Sequence, residues 1–147
     1  MKRLLLNMSL ILFVSACSAD AKIEKEDVSK EWEPSPVFIS EDRDMIGIEG
    51  KIGLLGAGII AGEPSKQMWH FWGDDLLNKY VSVEAYHEGV SDEVNPLVRG
   101  EEYPLGFGVN GADYSHPSHL QFPEPGVWKM DVYLNEEFYE SIVIEVN

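Results

Sequence analysis

The stretch Val127 to Leu134, VWKMDVYL, constrains the fold more than any other part of the chain. Trp128, Met130, Val132 and Leu134 alternate with Lys129, Asp131 and Tyr133, and a period of two places the first set on one face of a β-strand. A turn, Pro123-Glu124-Pro125-Gly126, precedes it. Asn135-Glu136-Glu137 follows and leads into Phe138 to Val146, FYESIVIEV, with Phe138, Ile142, Ile144 and Val146 expected on one face. Two alternating runs around a short polar turn predict a hairpin.

The pattern recurs upstream. Tyr80 to His87, YVSVEAYH, sets Val81, Val83 and Ala85 inward. Weaker strands are predicted at Val37 to Ser40, Lys51 to Leu55, Gly58 to Ala61, Met68 to Trp72, Leu105 to Val109 and Leu120 to Phe122. Turn signals fall at Glu63-Pro64-Ser65, Glu88-Gly89, Asn95-Pro96 and Asn110-Gly111. Asp74 to Lys79 is expected to form at most one helical turn. About seven to nine short strands with almost no helical period predict an all-β, antiparallel sandwich.

MWHFWG at Met68 to Gly73, NGADYSHPS at Asn110 to Ser118 and the final hairpin from Pro125 to Val146 resemble a family of small lipoproteins. The family comes from spore-forming Gram-positive bacteria and carries a domain of unknown function of the DUF4871 type. The resemblance covers most of the chain after Glu49, and Val37 to Glu49 departs most from the pattern. It implies an immunoglobulin-like sandwich on a lipoprotein, and it implies no residue roles.

The N-terminus predicts location. Lys2 and Arg3 precede an apolar run from Leu4 to Val14, which is interrupted at Asn7, Met8 and Ser9. A spanning helix needs about 20 apolar residues, so the run reads as a signal peptide rather than a membrane span. Val14-Ser15-Ala16-Cys17 is similar to a lipobox, in which the thiol is acylated and the chain is cut before it. Cys17 is the chain's one cysteine, so it has no disulfide partner. Residues 1–16 are therefore the predicted lipoprotein signal peptide, with cell-membrane anchoring at Cys17. The alternative is ordinary secretion with cleavage near Ala19-Asp20-Ala21. Residues 17–36 read as a flexible acidic tether and residues 37–147 as the sandwich domain. A coil of that length would hold the domain roughly 25 Å from the lipid.

Charge narrows the partners. The chain holds 11 basic and 26 acidic residues, a net of −15. Removing residues 1–16 takes away Lys2 and Arg3, which leaves 9 basic against 26 acidic residues and a net of −17. Nucleic-acid binders carry a basic footprint, and anionic lipid attracts basic surfaces, so neither is an expected direct contact of the domain. The expected contacts are the membrane, through the lipid on Cys17, and a membrane-proximal protein or small ligand.

Several constellations suggest chemistry and fail a residue test. Gly56-Ala57-Gly58-Ile59-Ile60-Ala61-Gly62 contains the glycines of a dinucleotide loop, but Pro64 interrupts the helix that loop requires. No cofactor is expected. Asp42-Arg43-Asp44-Met45-Ile46-Gly47 begins like a calcium loop, yet Ile46 stands where a ligand is needed. A looser calcium site would draw on Asp42, Asp44 or Asp92-Glu93. Asp113, His116 and His119 have zinc-compatible ligand types, and they carry the alternative reading of a small metal-dependent or hydrolytic enzyme. Glu101-Glu102 alternate faces in a strand and would not converge on one bond. No nucleophile–base pair is recognisable, so a non-enzymatic module is expected.

The aromatic block Trp69-His70-Phe71-Trp72 is the main candidate surface. In a strand Trp69 and Phe71 point one way, and Met68, His70 and Trp72 the other. One face enters the core. The other must be covered by a loop or stand open as a ligand or partner platform. Trp69, His70 and Trp72 are accordingly the candidate binding residues, in an extracytoplasmic ligand-binding or protein-interaction module.

Overall fold

The computed structural model describes residues 32–98 and 104–147. The predicted signal peptide, Cys17, the tether up to residue 31 and Glu101-Glu102 lie outside the described residues.

Ten strands build the domain: β1 (Val37–Ser40), β2 (Arg43–Ile48), β3 (Ile52–Gly56), β4 (Ser65–Phe71), β5 (Val81–His87), β6 (Glu93–Val94), β7 (Gly106–Phe107), β8 (Tyr114–Leu120), β9 (Gly126–Leu134) and β10 (Glu137–Val146). They form two antiparallel sheets, one in the order β1-β2-β3-β4-β8-β7 and the other in the order β10-β9-β5-β6. Strands β3-β4-β8-β7 opposite β10-β9-β5-β6 reproduce the immunoglobulin strand order, with one extra strand on the second sheet. The β1–β2 hairpin then widens the first sheet beyond that frame.

The core fills the space between the sheets by the alternation already visible in the sequence. Trp128, Met130, Val132 and Leu134 of β9 are buried against Ile52, Leu54, Trp69 and Phe71 of β3 and β4. Each fully buried large apolar side chain is worth about 1.5–3 kcal/mol relative to an exposed one. Trp69 satisfies its indole N–H by donating to Ser118 Oγ at 2.8 Å, and Trp128 by donating to the Glu124 carbonyl at 3.1 Å.

Several sequence expectations change. Arg43 to Ile48 is a strand, because Glu41 and Asp42 adopt φ of 44° and 61° and close a tight hairpin instead of opening a calcium loop. Tyr114 to Leu120, which carries His116 and His119 and is not among the predicted strands, is a strand. The predicted strand at Gly58 to Ala61 does not form, and Leu105 to Val109 shortens to Gly106–Phe107. Asp74 to Lys79 forms turns, with Asp75 and Asn78 at φ of 56° and 64°, and no helical turn.

One facing expectation also fails. β10 pairs with β9 through a register shift between Phe138 and Glu140. The extra residue, Tyr139, restores Ile142, Ile144 and Val146 to the core and turns Phe138 outward, where it is 58% exposed. The tether boundary moves too. Trp32 N–H donates to Glu88 Oε1 at 2.6 Å, and Ser35 N–H donates to the Val143 carbonyl at 2.9 Å, so the chain joins the domain before residue 37.

Candidate functional site

The aromatic block lies on β4, in the middle of the six-stranded sheet. Leu54, Trp69 and His116 face one another across β3, β4 and β8, as do Gly53, His70 and Ser115. Directly opposed residues share a face, so the first row enters the sandwich and the second faces away from it. Trp69 and His70 are both fully buried, and Trp72 is half-buried.

The loop Gly108–Asp113 covers the outward row. Asn110 and Gly111 take φ of 54° and 79°, as an Asn-Gly turn permits, and fold the loop back on the sheet. Trp72 Nε1 donates to the Gly111 carbonyl at 2.8 Å, and Ser40 Oγ donates to the Asn110 carbonyl at 2.8 Å. His70 Nδ1 lies 3.1 Å from the Met68 carbonyl, and its Nε2 lies 3.0 Å from Asn110 Nδ2. A carbonyl only accepts, so Nδ1 carries the proton and Nε2 accepts from the Asn110 amide. That arrangement requires a neutral ring. Burial holds the His70 pKa below its ordinary value, while carbonyls of Met68 and Gly53 partly oppose the shift.

Phe38 and Met45 complete this second, smaller core, with Phe38 edge-on to Trp72 at 5.8 Å. Gly53 lies beneath them, and a Cβ there would meet Phe38 Cζ at 2.9 Å and Met45 Sδ at 3.0 Å. Trp69 and His70 therefore offer no exposed surface, and only Trp72 remains accessible.

The three candidate zinc ligands do not converge. His116 and His119 are three residues apart in β8, so they occupy opposite faces. His116 is buried opposite Trp69, and His119 is exposed opposite Lys66. Asp113 Oδ2 accepts from the Gly73 N–H at 3.0 Å. Among the described residues no group of three His, Cys, Asp or Glu side chains could hold a metal ion. Asp44 lies in β2 and Glu93 in β6, on different sheets, which separates the looser calcium candidates as well.

A different surface carries a built polar network: the outer face of β10-β9-β5-β6. Tyr133 pairs with Phe138 and Ser82, Asp131 with Glu84 and Ser141, and Lys129 with Tyr86 and Val143. Glu84 Oε2 accepts from Tyr133 Oη at 2.9 Å and from Tyr86 Oη at 3.1 Å. Ser141 Oγ donates to Asp131 Oδ1 at 2.6 Å. Lys129 Nζ lies 3.7 Å from Asp131 and over the rings of Tyr86 and Trp32, at 5.4 and 5.6 Å from their centroids. The hydrogen bond to Glu84, with lesser burial, pushes the Tyr133 hydroxyl up to about 12. Burial and then Glu84 raise Tyr86 in the same direction. Both hydroxyls therefore stay protonated as donors, and the rings remain rigid amphipathic contacts.

A family described as a domain of unknown function, DUF4871, matches residues 22–144. The chain belongs to the DUF4871 family. A crystal structure of a protein described as a candidate lipoprotein from Bacillus anthracis is similar to this DUF4871 chain, with a TM-score of 0.66 and 27% identity. The match covers 81% of this chain and 88% of that one. No curated protein matches the chain.

Sequence reasoning missed the outer-face residues of this DUF4871 domain for a specific reason. Glu84, Tyr86, Asp131 and Tyr133 are the polar half of alternating strands, and alternation alone assigns that half to solvent. The available signal was the pair of tyrosines within two strands that register against each other.

Proposed function

We propose that this chain is an extracytoplasmic lipoprotein, held on the outer face of the cytoplasmic membrane by acylation of Cys17, whose sandwich is a binding module. The anchor reading is supported by the Val14-Ser15-Ala16-Cys17 motif and by the description of the similar Bacillus anthracis protein. Two acyl chains would hold it stably where one would not. The binding reading rests on one observation, the half-buried polar network on the outer face of the four-stranded sheet with Phe138 exposed at its rim. There Tyr86, Tyr133 and the exposed Phe138 surround carboxylates whose geometry is already fixed by hydrogen bonds. Ordered aromatic groups lose little entropy on association and concentrate binding energy. Binding rather than catalysis is favoured because Asp113, His116 and His119 diverge.

Detergent phase partitioning tests the anchor. The wild-type chain enters the detergent phase despite its net charge, and Cys17→Ser does not. A mature N-terminus at Lys22 with the wild-type protein in the aqueous phase would sink the anchor. A photo-crosslinker replacing Phe138 on intact membranes tests the face. It should give a discrete adduct that is absent when the crosslinker replaces Ile60, which is 52% exposed. Identical adducts from both positions would remove the binding face.

A further inference from the structure

Ser35 pins the free edges of the two sheets together at a single rung. Its N–H donates to the Val143 carbonyl and its Oγ accepts from the Val143 N–H, each at 2.9 Å. Register fixes what lies beyond that rung. Gly47 N–H donates to the Pro36 carbonyl at 3.0 Å, so Pro36, Phe38 and Ser40 are the residues bonded to β2. In an antiparallel ladder the intervening residues, Val37 and Ile39, then direct N–H and C=O away from β2. On β10, Val143 is bonded outward to Ser35, and the same alternation sends the Glu145 backbone outward.

The two edges do not close on each other. Val37 and Ile39 are 63% and 67% exposed. The seam opens into a cavity of about 320 Å³ with Ile46, Leu54 and Ile144 in its walls. Gln67 is buried at its inner end, and both of its amide protons are used, donating to the Ala57 carbonyl at 2.8 Å and Ser65 Oγ at 2.9 Å. Its side-chain oxygen is left as an acceptor. Asp44 and Glu145 border the same cavity. The polar side chains around the opening thus present acceptors and negative charge, on a chain whose net charge is −15.

We propose that this seam accepts an extended, cationic segment of a partner protein, which adds a strand along β1 and seats apolar side chains in the cavity. Backbone bonds from Val37 and Ile39 supply the pairing, as in other strand-addition complexes. A side chain directly opposite Val37 points the way Val37 does, toward the cavity. Asp44 and Glu145 select a basic segment. A second copy of this chain is disfavoured as the occupant, because two such acidic edges would repel. The site extends the binding-module reading to a separate surface and does not depend on the outer sheet face.

The probe is an acetylated hexapeptide alternating lysine and valine, titrated into the full chain in neutral detergent, with a glutamate–valine twin as control. The basic peptide should bind and shift the Val37 and Ile39 amide resonances, and the acidic twin should do neither. Ile39→Pro removes the outward N–H at an edge position that tolerates proline, and it should abolish binding while keeping the melting temperature. Asp44→Asn with Glu145→Gln should weaken binding about tenfold at low salt and flatten its salt dependence. The carboxylate variant and the amide shifts still decide the matter if the proline variant fails to fold. Equal binding of the two peptides, no binding of either, or shifts confined to other strands would overturn the proposal. So would a wild-type dimer that the basic peptide leaves intact.

Discussion

Tyr139 Oη donates to the Trp72 carbonyl at 2.7 Å and reaches the Lys51 carbonyl at 3.2 Å, tying β10 of one sheet to the ends of β3 and β4 in the other. The bulge that turns Phe138 outward supplies this cross-link. Tyr139 is the extra residue, and its ring meets Phe71 edge-on at 5.7 Å with Lys51 Nζ 4.5 Å above it.

Tyr139→Phe keeps the ring contacts and removes only the hydroxyl. It should destabilise the domain by about 1–2 kcal/mol, because the Trp72 carbonyl loses a partner. Equilibrium urea unfolding measures this, and an unchanged midpoint would show that water replaces the bond at no cost.

Trp69 is the indole between the sheets, fully buried and bonded to Ser118. Trp69→Ala should cost about 3–5 kcal/mol, from lost burial and the cavity left behind. Thermal melting monitored by circular dichroism should show a large drop or no folded baseline at all.

Trp72→Ala should behave differently, since Trp72 is half-exposed and serves the covering loop. The loss of its bond to Gly111 and its edge contact with Phe38 should cost about 1–2 kcal/mol. Amide hydrogen exchange should accelerate at Gly108 and Asp113, whose N–H groups donate to Asp113 and Phe71 carbonyls, while β9 stays protected. Acceleration spread evenly over both sheets would show that Trp72 supports the main core instead.

His70 gives the domain a pH dependence of known sign. Burial lowers its folded-state pKa below the ordinary value of about 6.5, so unfolding takes up a proton as the solution becomes acidic. The stability contributed by the neutral ring is complete above about pH 6.5 and is lost as pH falls toward and through the depressed folded value. His70→Gln, which cannot titrate, should flatten that part of the stability curve relative to wild type. Carboxylate titration is common to both proteins, so the difference between their curves isolates His70.

The β-sandwich was legible because alternation with a period of two is a local property. Trp128, Met130, Val132 and Leu134 announce a buried face whichever sheet they join. The strands that escaped notice were those whose local chemistry resembles something else. Arg43 to Ile48 follows the acidic turn residues Glu41 and Asp42, and Tyr114 to Leu120 contains a proline between two histidines. The first became a strand through hairpins with its neighbours β1 and β3, and the second through pairing with β4, which is distant in sequence.

The sequence by itself determined the core faces of β5 and β9, the turn at Asn135 and the net charge of −15. Tertiary structure decided which side of the aromatic block is covered. His70 and Trp72 point outward by strand geometry, and only the fold-back of Gly108–Asp113, about 40 residues later, places Asn110 and Gly111 over them. It also separated His116 from His119 and left the seam beside Val37 open. Those outcomes depend on long-range register, and register is set when faces of distant strands are buried together, which no local pattern encodes.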